Sequence, residues 1–308
     1  MDKLLNYLKA AALVLLFLFY PPCFGENVQL KQSKYFSLEF PKGKEQAAAF
    51  IGGLAEKARE EVNRHVPFPL EDRITIVYCS TEKEFLQASG MKPEHFLACA
   101  VAEKRVIYIN GELIRTLELD ESFSVLLHEY AHVYLGLKVL DPLPHWLNEG
   151  LAMHLAKDWS VLDSLRLSFA HILGKTIPFS QLEGGFPTNP SAIPLAYLQS
   201  YSMTDFIMKQ FFGGGGLHPF LKRLMDPMEG AQIVEHLQDP IIIKSLEEQW
   251  KRRLGGWRRN LVVVLTSSSL LWFALASLFL YAYVKKRQQQ KRQLKVWEEE
   301  EFNHTSFY

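Results

Sequence analysis

His128, Glu129 and His132 stand at fixed offsets, H-E-x-x-H, inside the apolar run from Leu126 to Val133. On an α-helix, residues four apart share a face, so the two imidazoles can point at one cation. Glu129 lies one step round the helix, close to such a cation without occupying a ligand position. That suits a carboxylate taking a proton from metal-bound water. The same pattern is compatible with a plain buried helix holding two satisfied histidines. A catalytic zinc site uses three protein ligands and leaves a fourth position open, so a further ligand is required. Downstream lies Leu143-Pro144-His145-Trp146-Leu147-Asn148-Glu149-Gly150-Leu151-Ala152. Gly136 is a plausible end for the first helix, and Pro142 and Pro144 prevent simple continuation. The chain can turn back there and start a second helix near Pro144, with Glu149 facing inward.

H-E-x-x-H followed by W-L-N-E-G-L-A resembles the gluzincin metallopeptidases, most of all their small bacterial peptidase MA-like branch. The motif-bearing resemblance covers about Val125 to Ala152, and more loosely about Tyr35 to Trp250. It implies Zn²⁺ as cofactor, Glu149 as the third ligand beside His128 and His132, and a polypeptide substrate. It also implies a sheet edge that borders the cleft and pairs with an extended peptide through backbone alone. The stretch around Arg105 to Ile109 is the candidate for that edge. Peptidase MA-like sequences carry an A-Y-x-Q-S-Y segment, here Ala196 to Tyr201, and other gluzincins hold the oxyanion with a tyrosine or histidine. Tyr201 is the first candidate for that role, Tyr197 the second and His218 a third. Either tyrosine is equally readable as an amphipathic core residue. One departure stands out: thermolysin-like relatives place an aspartate four residues after the ligand glutamate, to orient a zinc histidine. Met153 occupies that position, with His154 beside it, so another group must orient the imidazole.

The elements that position these residues follow from periodicity. Tyr35 to Phe40, Arg73 to Tyr78 and Arg105 to Ile109 read as strands. Gly43 to Val66 reads as an amphipathic helix, with Ala47, Phe50, Ile51, Leu54, Ala58 and Val62 in its apolar stripe. Asp120 is a suitable N-cap for the metal helix, with Glu121 favourable in its first turn. The second motif helix is expected from about Pro144 to Asp158, another from Ser160 to Leu173, and a Gly/Pro-rich loop from Ile177 to Pro194. A further helix opens at Ala196 and runs to Phe212. The expected fold is α+β: a small N-terminal sheet with its helix, packed on a mainly helical zincin-like lobe.

Length allows one domain of about 200 residues with appendages. Lysine plus arginine and aspartate plus glutamate both number 34, so net charge offers no argument for nucleic acid. The three cysteines form no C-x-x-C pair, which leaves histidine and carboxylate as metal ligands. Residues 1–25 combine Lys3 and Lys9, an apolar run and a Pro-Pro-Cys-Phe-Gly exit, the pattern of a secretory signal. An uncleaved anchor is the alternative. Cys79 and Cys99 could pair in an oxidising compartment, or remain two thiols. Residues 261–284 are apolar and long enough for one membrane-spanning helix. The expected organisation is a signal (1–25), an ectodomain (26–255, with α/β part 26–118 and helical part 119–255), a span (261–284) and a tail (285–308). The expectation is an exported zinc metallopeptidase, single-pass in the inner membrane with its tail in the cytoplasm; its oligomeric state stays open. A zinc-stabilised envelope binding or assembly module of the same fold is the alternative.

Overall fold

Five short runs build one mixed sheet: β1 (Val28–Gln32), β2 (Phe36–Pro41), β3 (Ile74–Cys79), β4 (Ala98–Val101) and β5 (Val106–Asn110). Their order is β1-β2-β3-β5-β4, parallel between β2, β3 and β5 and antiparallel at both outer pairs. This computed structural model describes residues 28–91, 96–211, 216–267 and 272–288. Parallel neighbours need a crossover connection, and α1 (Glu45–His65) makes the one from β2 to β3. It packs on β2 and buries Ile51, Leu54, Ala58 and Val62 of the expected stripe together with Ala48, whereas Ala47 is only half-buried and Phe50, also expected in the stripe, is exposed. The inner strands β3 and β5 are nearly continuous in apolar residues because both their faces are covered. A short helix, α2 (Glu82–Ser89), buries Phe85 against Val77, Val106 and Tyr108. After β5 come a single turn, α3 (Gly111–Ile114), and then the helical part of the fold.

The helices that follow are α4 (Leu119–Lys138), α5 (His145–Ala156), α6 (Val161–Ile172), α7 (Ile193–Phe211), α8 (Leu217–Leu224), α9 (Pro227–Gln238) and α10 (Pro240–Ser267). α4 packs against α1, α5 and the β4–β5 end of the sheet, and α5 lies along α7. The fold is therefore α+β, a small mixed sheet joined to a predominantly helical part. The chain divides into two compact units, Met1–Lys251 and Arg252–Tyr308.

Several expectations need correction. The membrane-spanning helix over 261–284 is not found: among the described residues no helix is long and apolar enough to cross a membrane. A span needs about 20 predominantly apolar residues in one helix. α10 is 28 residues long but carries Lys244, Glu247, Glu248, Lys251, Arg252 and Arg253, and the next described helix, 272–288, carries Lys285-Lys286-Arg287 in its last described turn. Gly136 does not end the metal helix, which continues to Lys138 with Val139 as its C-cap. Asp120 is not its N-cap either. Glu118 is, and Glu121 Oε2 accepts a hydrogen bond from its backbone N–H at 3.0 Å. Arg105 to Ile109 is not an edge, because β5 is paired on both sides; the edges are β1 and β4, and β4 is the one beside β5. The expected signal (1–25) and most of the tail (285–308) lie outside the described residues.

Candidate metal centre

α4 is apolar on the side that packs, burying Leu126, Leu127, Tyr130, Ala131, Val133 and Tyr134. That fixes its rotation and leaves His128, Glu129 and His132 half-buried at the wall of a cleft of about 820 Å³. Pro144 starts the return helix α5, anchored by the His145 N–H to the Glu183 carbonyl at 2.8 Å and by the Trp146 N–H to Leu182 at 3.2 Å. With Trp146, Leu147 and Leu151 buried on α5, Glu149 faces the histidines and is 6% exposed.

His128, His132 and Glu149 form a group that could hold a metal ion. The two Nε2 atoms are 3.0 Å apart, and Glu149 Oε2 lies 3.3 Å from His128 Nε2 and 3.4 Å from His132 Nε2. A tetrahedral ion with bonds of about 2.0–2.1 Å spaces its ligands roughly 3.3 Å apart. Glu149 Oε2 is also a buried oxygen left without a hydrogen-bond partner. A buried acceptor in that state is costly, and a cation between the three atoms would satisfy it. The donor set therefore fits a cation of the nitrogen/oxygen-binding class.

The electrostatics agree. Burial opposes ionisation of Glu149, but the His132 and His128 imidazoles hold its carboxyl well below the usual carboxylate range. Burial likewise works to lower His132; the Glu149 carboxylate outweighs it and pushes His132 up to about 9. A positive charge is thus demanded where the three atoms converge. His132 Nδ1 lies 3.3 Å from Asn148 Oδ1. With Nδ1–H donating there, Nε2 is directed at the cluster. Asn148 thus supplies the orientation for one ligand that sequence reasoning left without a candidate. Its signal was adjacency to Glu149 on the return helix. Met153 is buried and offers no acceptor comparable to a carboxylate.

The tyrosine candidates separate. Tyr201 does not line the cleft; its ring is stacked between His154 (centroids 3.9 Å) and Trp159 (4.2 Å). Burial pushes it up to about 12 and holds His154 down to about 4, so this stack is neutral at physiological pH. Tyr197 does line the cleft, its ring 6.3 Å from that of His128. Burial raises its pKa, with Glu149 and Glu129 adding to the effect, which keeps the phenol protonated and able to donate. His218 is exposed and is not among the lining residues.

Two lining residues escaped the sequence reading. His145 sits one turn before Glu149, with Nε2 3.7 Å from Oε1, and burial lowers its pKa. Phe186 projects from the loop before α7 and meets the rings of His145 (4.6 Å) and Tyr197 (4.7 Å). The i, i+4 spacing could have marked His145; nothing local marks Phe186. Ala98, Cys99 and Ala100 of the edge strand β4 also line the cleft. Cys99 and Cys79 are not disulfide-bonded. Burial, with Glu129 nearby, pushes the Cys99 thiol up to about 12, so it is un-ionised and weakly nucleophilic.

No family model matches the chain, and no curated protein matches it.

Proposed function

We propose that the chain is a zinc-dependent metallopeptidase of the gluzincin type, hydrolysing peptide bonds in the cleft between β4 and α5. The observation that carries this reading is the convergence of His128 Nε2, His132 Nε2 and Glu149 Oε2 within 3.4 Å, with Glu129 on the same wall. Two imidazoles and a carboxylate favour zinc among the common divalent ions, whereas calcium and magnesium favour all-oxygen sites. When bound, zinc would supply Lewis acidity, polarising a carbonyl and lowering the pKa of water towards neutrality.

The chain's own groups have distinct tasks. His128, His132 and Glu149 hold the ion, and Asn148 fixes the His132 ring. Glu129 accepts the proton of the attacking water and passes it to the leaving amine nitrogen, the ordinary alternation of a general base and acid. Tyr197 donates its phenolic proton in a hydrogen bond to the carbonyl oxygen as negative charge builds there, a contribution of about 3 kcal/mol by analogy with other oxyanion donors. The exposed side of β4 offers backbone N–H and C=O groups to an extended substrate strand.

Full-length wild-type and Glu129→Gln proteins are to be compared for bound zinc and for cleavage of a diverse peptide library. Both should bind one zinc per chain, and only wild type should cleave. Loss of zinc from both would remove the site assignment. Zinc in both with cleavage by neither would favour the second reading, a zinc-stabilised binding module. Met153, where thermolysin-like relatives have an aspartate, is the observation on that side.

A further inference from the structure

Charge is distributed unevenly in the cleft. Its described lining residues include four carboxylates, Glu103, Glu129, Asp141 and Glu149, and no lysine or arginine. The chain as a whole has equal numbers of the two signs, so this bias is local. A bound dication offsets part of it; Glu103 and Asp141 belong to neither the metal cluster nor the proposed chemistry. Aromatic rings add to the case. Phe96, Phe186 and Tyr197 line the cleft, and ring faces attract ammonium and guanidinium groups. The aliphatic stems of such side chains can lie along Val139, Leu140 and Leu143.

Two consequences follow. An acidic side chain entering this cleft meets like charge in a partly desolvated space, where field lines are focused. A free C-terminal carboxylate finds no arginine or lysine among the described lining residues to receive it, although such groups are the usual partners of carboxylates. The described lining therefore favours positive charge and offers a C-terminal carboxylate no cationic side chain.

We propose that the cleft takes an internal, extended, lysine- or arginine-bearing segment of polypeptide, which makes the protein an endopeptidase for basic sequences. The proposal rests on the reading of the cleft as a peptide site, and binding measurements separate it from the question of hydrolysis. Zinc-loaded full-length Glu129→Gln protein is titrated with fluorescent 12-residue peptides, N-acetylated and C-amidated, that share one apolar centre and differ only in Lys, Gln or Glu flanks. The Lys peptide should bind at least about tenfold more tightly than the Glu peptide at low salt, and the gap should narrow as salt screens it. A free C-terminus should add nothing. Glu103→Gln with Asp141→Asn should shrink the gap while zinc content is unchanged, and Asp141→Lys should shrink it further. Equal binding of the three peptides, preference for the Glu peptide, or tighter binding on freeing the C-terminus would overturn the proposal. Should wild type bind the Lys peptide selectively yet cleave nothing, hydrolysis fails and the charge selection stands. Should it cleave all three alike, hydrolysis stands and the charge selection fails.

Discussion

Asn148 has a larger part in the candidate metal centre than its chemistry alone implies. Hydrogen-bond partners of ligand imidazoles fix ring orientation, and their loss typically costs 10–100-fold in metal affinity. Asn148→Ala should therefore weaken zinc binding by about that factor, read by competition with a chromophoric chelator, whereas Asn148→Asp, which keeps an acceptor next to His132 Nδ1, should lose less. An equal loss in both variants would mean that the asparagine acts through α5 rather than through the imidazole. A second prediction concerns protons. In the metal-free cluster His132 is pushed up to about 9, so it carries a proton at neutral pH. Glu149 is held well below the usual carboxylate range and stays ionised. Zinc uptake at Nε2 must expel that proton. Apparent affinity should fall by about tenfold for each pH unit below roughly 9 and level off above it. Calorimetry in two buffers of different ionisation enthalpy should report about one proton released per zinc at pH 7. The stability linkage has the matching sign: without metal, protonation of His132 stabilises the fold fully below pH 6.5, and this contribution is lost as pH rises through about 9.

At the scale of elements, the site depends on two close approaches. A Cβ on Gly150 would lie 2.1 Å from Thr204 Oγ1 and 2.5 Å from the Ser200 carbonyl oxygen, so α5 and α7 touch through glycine. Glu149 precedes that contact on α5, and Tyr197 stands one turn before Ser200 on α7. Gly150→Ala should destabilise the protein by about 1–3 kcal/mol through overpacking and should weaken zinc binding as well, since the helices part beside the ligand. Denaturant midpoints and chelator competition check the two effects separately. The other approach is Gly136, where a Cβ would lie 2.3 Å from Ala102 Cβ. The rule that glycine ends helices misread this position, because the space it leaves is needed by a neighbour distant in sequence. The same limit explains the edge strand. β2, β3 and β5 were legible as apolar runs, whereas Ala98-Cys99-Ala100-Val101 lacks the length and alternation of a strand and owes its place to pairing with β5. β1 was equally hidden, being polar and largely exposed. His128 and His132 could be read because a helical offset pairs them, whereas Glu149 was reached through the resemblance carried by W-L-N-E-G-L-A. Tyr197 could not be chosen over Tyr201 by spacing, since the choice turns on Trp159 and His154 enclosing the second ring.

For the whole molecule, apolar length alone misdirected the reading of the C-terminal region. The run from 261 to 284 met the length of a span, yet the described helices there are not long and apolar enough to cross a membrane. The unit Met1–Lys251 holds the whole metal cluster, and its ligands come from two helices joined by a turn containing Pro142 and Pro144. An ion at this site would bind only where α4 and α5 are correctly packed, because the unfolded chain does not hold the three atoms within 3.4 Å. Ligand linkage then stabilises the folded state by about 2.7 kcal/mol when free zinc is a hundredfold above its dissociation constant. For a domain of this size that is a rise in Tm of about 5–10 °C. Dialysis against a chelator should lower Tm by that amount, and added zinc should restore it. Glu149→Ala should melt at the same temperature with or without chelator, because a ligand is gone. In the proposed reaction Glu129 acts as general base and is not a ligand, so Glu129→Gln should keep the full chelator-dependent shift while losing any hydrolysis. A chelator shift abolished by Glu129→Gln would make Glu129 a ligand and remove the general base from the proposed reaction. A shift unaffected by Glu149→Ala would mean that the stabilising ion binds elsewhere on the chain.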